Sequence, residues 1–283
     1  MNGVAVGHKI QCKSEYTTLK NVLIVKPSFM KITEIINETQ KHYENSNINI
    51  PLALEQHEAF VEVLKAHGAN VSELQAVSSL PEQVFTRDIG FTIHDELFVA
   101  TMNEQVRKPE VNTVKAFLQE NDIPYQEGLP GSIEGGDVVV DGSTIWVGNS
   151  GRTSQIAIQE LQKRLPAFTV APLSLREDIL HLDCVFNIVS QEVALVYPPA
   201  FTNEDLSKLE ARFQLIHVTE EEQFYMGPNV LSIGEGKVVS LSQNKRLNRI
   251  LTAHGFRVLP VDFSEIIKSG GSFRCCTLPL ERS

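Results

Sequence analysis

With 283 residues, 42% of them hydrophobic, the chain is long enough to bury a large core without covalent staples. Its 35 acidic residues against 25 basic ones leave a formal net charge of -10 with no run of Lys or Arg, which argues against nucleic-acid and anionic-membrane binding and favours cationic ligands. Four cysteines are too few for a disulfide framework, the N-terminal stretch lacks the apolar core of a signal peptide, and no apolar run approaches the ~20 residues of a membrane span, so a reducing cytoplasm is the expected setting.

In chain order, one kind of unit recurs: a short apolar strand, an amphipathic helix, then a second short strand. The first unit reads NVLIVKP (21–27), ALEQHEAFVEVLKAHG (53–68) and ANVSEL (69–74). Between its first two parts the polar stretch 26–57, Asn-rich in its middle, reads as a lid over a site. The second unit is ELFVATM (96–102), EVNTVKAFLQEND (110–122) and IPYQEG (123–128), and the third is TIWVGNS (144–150), TSQIAIQELQKRL (153–165) and FTVAPL (168–173). EVALVYP (192–198), NEDLSKLEARF (203–213) and QLIHVTEE (214–221) form the fourth; KVVSLSQ (237–243), NKRLNRILTAHG (244–255) and FRVLPVDF (256–263) form the fifth. Apolar residues return at three- and four-residue spacing in the helical parts, and Gly-, Pro- or acid-rich connections separate the units. Alternating strand and helix is also the pattern of a doubly wound parallel sheet. That fold needs no sequence repeat, whereas β-rich units recurring at roughly 40 to 55 residues fit radial repetition. The expected fold class is therefore α/β, with five ββαβ-type modules around a pseudo-fivefold axis in one domain over residues 1–283.

Four stretches set polar groups in or beside apolar segments: VFTRDIGF (84–91), GSIEGGDVVV (131–140), ILHLDCVFNIV (179–189) and RCCTLPL (274–280). Ionised groups there must be paired or meet a ligand. Taken singly, each has a bland explanation: Asp88 pairs with Arg87, Asp137 caps the turn after Gly135 and Gly136, His181 is a satisfied core histidine, and Cys276 is a small buried hydrophobe. Taken together they supply a thiol, a histidine and several carboxylates at element ends, the parts of a nucleophile, an acid/base partner and anionic anchors for a cation. His181 and Asp183, two apart in HLD, share a face if extended. There is no CxxC, HxH or HExxH, and GNSGR (148–152) lacks a GxSxG elbow, so neither a metal centre nor a serine triad is expected.

FTRD, EGGDV, VGNSGRTS, HLD and GGSFRCCTLPL stand in the order found in the guanidino-group-modifying enzymes. The chain resembles that superfamily of arginine deiminases, dimethylarginine dimethylaminohydrolases and amidinotransferases over nearly its whole length. The resemblance implies the pentein fold, a pseudo-fivefold α/β propeller, in agreement with the repeat. It also implies Cys275 as nucleophile with Cys276 a bystander, His181 as general acid/base, and Glu134 of EGGD as the carboxylate that holds a substrate nitrogen and assists the histidine. Asp88 of FTRD matches the carboxylate that grips the guanidinium, and Asp183 matches the HxD aspartate found near it in deiminases and amidinotransferases. Arg107 in QVRKPE and Arg152 in NSGRTS are similar to the two arginines that bind the substrate's α-carboxylate in dimethylargininases.

Such chemistry needs carboxylates to hold a planar cation while a thiolate attacks its central carbon, and it needs no cofactor. The expected partner is a small cationic guanidino compound, and a homodimer is implied by resemblance alone. Compact length resembles the dimethylargininases, whereas Asp183 and FTRD resemble the deiminases. The expected function is hydrolysis of a guanidino C–N bond of arginine or an N-methylated arginine through an S-alkylthiouronium, giving citrulline plus amine or ammonia. Deiminase-like, amidinotransferase-like and non-catalytic binding activities are the alternatives.

Overall fold

The computed structural model describes residues 9–283. Among these residues the central strands are β1 (Leu19–Val25), β4 (Glu96–Val99), β6 (Thr144–Asn149), β9 (Val193–Val196) and β12 (Lys237–Leu241), one for each of the five small sheets. They read as continuous apolar runs because both faces are buried and successive side chains enter different cores. In β1, Val22 and Ile24 join one apolar cluster while Leu23 and Val25 join another. In β9, Val193 and Leu195 go one way and Ala194 and Val196 the other.

Three sheets show the whole unit. An antiparallel hairpin leads into a helix, and the helix returns a strand parallel to the central one: β5 (Val138–Asp141), β6, α4 (Gln155–Arg164) and β7 (Thr169–Ser174); β8 (Phe186–Ile188), β9, α5 (Asn203–Arg212) and β10 (Gln214–His217); β11 (Leu231–Gly234), β12, α7 (Lys245–Ala253) and β13 (Arg257–Val261). In the first sheet β1 pairs in parallel with β2 (Asn70–Leu74), across α2 (Ile50–Ala66), and antiparallel with β14 (Leu278–Arg282) from the other end of the chain. The second sheet holds only β3 (Gly90–Ile93) and β4, ahead of α3 (Val111–Glu120). IPYQEG does not form the expected strand. Pro124 has no N–H to give to a ladder, and a single bridge from Gln126 to Phe98 replaces the pairing.

Five apolar clusters link each sheet to the next and the last back to the first. Leu23, Leu97 and Leu278 join the first and second sheets; Phe98 and Val138 the second and third; Trp146 and Phe186 the third and fourth; Leu195 and Val238 the fourth and fifth; Val239 and Ile24 the fifth and first.

Two short helices were not expected: α1 (Glu38–His42), inside the long polar stretch, and α6 (Glu220–Phe224), where QLIHVTEE reads as strand. The strand stops at His217 because Thr219 and Glu222 form a reciprocal capping box that starts α6. The first module helix begins three residues early, at Ile50, with Asn49 as its cap and a proline in its first turn. None of the described helices is long and apolar enough to cross a membrane.

Candidate active site

One structural position recurs in every module: the turn that leads into the first strand of its hairpin. Residues 85–88 turn into β3, Glu134 to Asp137 into β5, and His181 to Cys184 into β8; Asn229 stands two residues before β11 and residues 273–276 turn ahead of β14. Side chains at these turns leave the ladders yet stay out of water, so charged ones require partners.

Cys275 is 2% exposed. Its Sγ accepts a hydrogen bond from Asn229 Nδ2 at 3.1 Å and lies 3.7 Å from both carboxylate oxygens of Asp183. Asn229 Oδ1 also accepts from the amides of Cys275 and Ser272, at 3.1 and 3.2 Å, so one asparagine fixes both the loop and the sulfur. Gly271 allows the loop to pass, since a Cβ there would lie 2.4 Å from the Phe85 ring. The neighbouring Arg274 is buried; it pairs with Glu15, reaches Asp183 Oδ2 at 3.3 Å and donates to the Val138 carbonyl at 2.9 Å. Burial alone would raise the Glu15 carboxyl, but Arg274 and Arg87 outweigh it and hold it down at about 2.

His181 is extended, but Leu182–Cys184 closes into a 3₁₀ turn, so His181 and Asp183 do not share a face as an extended HLD would. Asp183 turns towards Cys275 and Arg274, and His181 towards Glu134. His181 Nε2 lies 2.8 Å from Glu134 Oε2, and Nδ1 lies 3.7 Å from Asp88 Oδ1. A Cβ on Gly136 would sit 2.8 Å from both His181 Cγ and Asp88 Oδ1, so only glycine admits this contact. Burial works against a charged imidazole, yet the carboxylates of Asp88, Glu134 and Asp137 overcome it and raise His181 to about 10. Burial likewise opposes ionised Glu134, but its hydrogen bond to His181 and the charges of His181, Arg152 and Arg107 lower it. Asp137 is not a turn cap for its own segment: it accepts from the Leu182 amide at 2.9 Å and the Ser150 hydroxyl at 2.6 Å, while burial pushes it up to about 6.

The expected Asp88–Arg87 pair is not formed, because consecutive residues of the turn point apart. Arg87 faces Glu15 at 3.9 Å, whereas Asp88 Oδ2 accepts from Arg107 at 2.6 Å. Arg107 also binds Glu110, at 2.8 Å, so this arginine is fully engaged by carboxylates in the structure. Arg152 reaches Glu134 and Glu104 at 3.5 Å each and donates to the Ile36 carbonyl at 2.7 Å. The polar stretch does cover the site: Asn37 Nδ2 donates to the Ser269 carbonyl, and Gln40 Nε2 binds Glu82 and Ser269 Oγ, each at 2.8 Å.

One narrow cavity is lined by Asp88, Arg107, Arg152, His181 and Cys275, closed over by Ile36 and Asn37. Of the seven residues singled out in the sequence, these five meet directly; Glu134 and Asp183 stand one layer back, behind the histidine and the sulfur. On each of two of these lining residues a buried atom, Asp88 Oδ1 or His181 Nδ1, has no hydrogen-bond partner among the described residues. A larger cleft bordered by Thr219, Glu222 and Arg246 contains neither thiol nor imidazole. Sequence reasoning missed Asn229, Glu15, Gln40 and Glu82. For Asn229 a signal existed, since it occupies in the fifth module the turn held by Asp88 in the second.

A buried thiol, a carboxylate-bound imidazole and a carboxylate with an open valence around one cavity, on this fold, define a member of the guanidino-group-modifying superfamily. The N-terminal domain of ArgZ, an arginine dihydrolase from cyanobacteria, superposes with a TM-score of 0.85 at 24% identity over 93% of this chain and 98% of that one. SxtG, an amidinotransferase from Microseira wollei, gives 0.84 at 17% identity over 96% and 97%. Within the superfamily the match is narrower: the family model "N,N dimethylarginine dimethylhydrolase, eukaryotic" covers residues 26–282, and the chain belongs to that family. Uncharacterized protein YkgA of Bacillus subtilis is 47% identical over 97% of this chain and 96% of its own length. The N(G),N(G)-dimethylarginine dimethylaminohydrolase of Mycobacterium tuberculosis is 28% identical over 90% and 83%.

Proposed function

We propose that the chain is a cysteine-dependent hydrolase of a guanidino C–N bond, with arginine or an N-methylated arginine as substrate. The observation that carries this reading is a pair of buried atoms without a hydrogen bond, Asp88 Oδ1 and His181 Nδ1, on residues that line the same cavity as Cys275. A guanidinium presents N–H donors to Asp88, and its central carbon comes under attack by the Cys275 thiolate. Asp183 lies 3.7 Å from the sulfur and is itself paired with Arg274. Glu134 fixes Nε2 of the imidazole and leaves Nδ1 towards the substrate. As the C–N bond of the tetrahedral adduct breaks, His181 hands its proton to the departing amine, and an S-alkylthiouronium remains on Cys275. The neutral imidazole then takes a proton from water, which attacks the same carbon; the C–S bond breaks, the Cys275 thiolate leaves with the electron pair, and a ureido product is released. Arg152, beside the cavity, offers a cation for a substrate carboxylate; Arg107 does so once it shares its bond to Asp88. The circuit of five sheets is read as a pseudo-fivefold propeller whose module turns converge on this site.

The test is direct. Purified protein and its Cys275→Ser variant are incubated with arginine, Nω-methylarginine, asymmetric dimethylarginine, and arginine with glycine, and products are identified by mass spectrometry. Citrulline formed by the parent and lost in the variant supports hydrolysis and tells which nitrogen leaves. Amidino transfer to glycine, or no product from any substrate, would overturn it.

A further inference from the structure

The mechanism above leaves one buried nucleophilic group unused, the thiol of Cys184, which stands directly beside the reacting sulfur. We propose that Cys184 and Cys275 are a peroxide-responsive pair that closes into an intramolecular disulfide, capping the nucleophile until a dithiol reopens it.

Three atoms carry this inference. Asp183 Oδ1 lies 3.7 Å from the Cys184 sulfur and 3.7 Å from the Cys275 sulfur, and a carboxylate oxygen of Asp183 and the two sulfurs all lie within 4.8 Å of one another. A disulfide requires the sulfurs to approach to about 2 Å, so the two side chains must turn towards each other from their present separation of at most 4.8 Å. Cys12 and Cys276 are outside this cluster; Cys12 donates to the Pro279 carbonyl. The pair also joins two spaces, since Cys275 lines the substrate cavity whereas Cys184 borders a second one next to Tyr197, Phe224 and Met226. Contact with Cys275, with burial, pushes the Cys184 thiol up, so Cys184 is slow towards peroxide and acts as the resolving partner.

The chemistry balances with a hydroperoxide as oxidant. The Cys275 thiolate attacks one peroxide oxygen; the S–O bond forms, the O–O bond breaks, and hydroxide leaves with the electron pair, so that sulfur is oxidised to a sulfenic acid and peroxide is reduced. Cys184 then gives its proton to Asp183 and attacks the Cys275 sulfur. The S–S bond forms, the S–O bond breaks, and the departing oxygen takes that proton away as water. The bond itself rests on the cluster alone; loss of turnover rests on the reading of Cys275 as nucleophile.

The full-length protein is treated with hydrogen peroxide, its remaining thiols are alkylated, and unreduced peptides are mapped by mass spectrometry, with turnover followed in parallel. The expected result is a crosslink joining Cys184 to Cys275, with loss of turnover that dithiothreitol restores. Cys184→Ala should keep basal turnover but lose it irreversibly in peroxide, because Cys275 without a resolving partner proceeds to sulfinic acid; Cys184→Ser repeats the test if the alanine variant folds poorly. No Cys184–Cys275 crosslink, a Cys275–Cys276 crosslink, or full recovery of the oxidised Cys184→Ala protein by dithiothreitol would overturn the proposal. A mapped crosslink without loss of turnover would leave the bond established and overturn both the inactivation and the nucleophile assignment.

Discussion

Two adjacent cysteines close the sequence motif, and the structure gives them different surroundings. Both belong to one apolar cluster, but Cys275 has Asn229 and Asp183 against its sulfur, whereas Cys276 has no exposed surface and its thiol makes no hydrogen bond among the described residues. Cys275→Ser is therefore expected to lower kcat by ~10³-fold or more, since serine at neutral pH is a far weaker nucleophile without a base at its oxygen. Cys276→Ser should retain most turnover and lose some stability, because a hydroxyl replaces a thiol in an apolar pocket. Equal losses from the two would refute the assignment. Asn229 offers a finer measurement: it donates to the sulfur and accepts from two amides of the loop. Removing a hydrogen bond to a charged group costs ~1.5–3 kcal/mol, so Asn229→Ala should reduce kcat ~10- to 100-fold. KM should change little, which separates displacement of the nucleophile from loss of substrate contacts.

At the scale of elements, α1 is held over the cavity by a buried latch. Gln40 on the helix, Ser269 ahead of the nucleophile loop and Glu82 ahead of the Asp88 turn share hydrogen bonds of 2.8 to 3.0 Å. Burial pushes Glu82 up to about 7, and Arg107 only partly offsets this. The sign follows from proton counting. Unfolded Glu82 releases its proton near 4.5 and folded Glu82 near 7, so between those values the folded state holds the extra proton and stability falls as pH rises; above them the loss is complete and constant. Glu82→Gln keeps the shape and removes the titration. Compared with the parent in thermal melts, it should gain little at pH 4 and gain most at pH 8, by on the order of 1–3 kcal/mol; a gain independent of pH would refute the account. This latch was hardly legible in the sequence. The motifs that announced themselves, such as HLD and EGGDV, are polar residues against strands, where burial makes an ionisable group conspicuous. Glu82 and Gln40 lie in polar stretches, where glutamate and glutamine attract no notice until folding buries them. The capping box at Thr219 and Glu222 and the early proline of α2 are local signals of four residues each, which reading QLIHVTEE as strand and starting the first helix at Ala53 pass over.

Among the described residues the five sheets link into a circuit, and the last strand completes the first of them. Repetition of the strand-helix-strand unit was visible because each module solves the same burial problem with the same periodicities. The first module was harder to read, since its antiparallel partner β14 lies more than 250 residues away from β1 and pairing at that distance leaves no local mark. Closure has a thermodynamic consequence. Leu278 and Leu280 are fully buried in the cluster shared by the first and second sheets, so Leu278→Ala should cost ~2–5 kcal/mol. If the circuit unfolds as one unit, that loss must be felt everywhere. The chain's one tryptophan, Trp146, tests this, because it sits between the third and fourth sheets in a cluster that contains no residue of β1 or β14. Denaturant unfolding followed by Trp146 fluorescence and by far-ultraviolet circular dichroism should give coincident transitions in both proteins, with the Leu278→Ala midpoint displaced equally in each signal. A Trp146 transition left in place while the dichroism signal splits would mean that the sheets melt separately, as in an open array whose modules feel only their neighbours. Coincident displacement would instead show that a side chain at the end of the sequence stabilises the opposite side of the molecule, and with it the turn from which His181 and Asp183 enter the site.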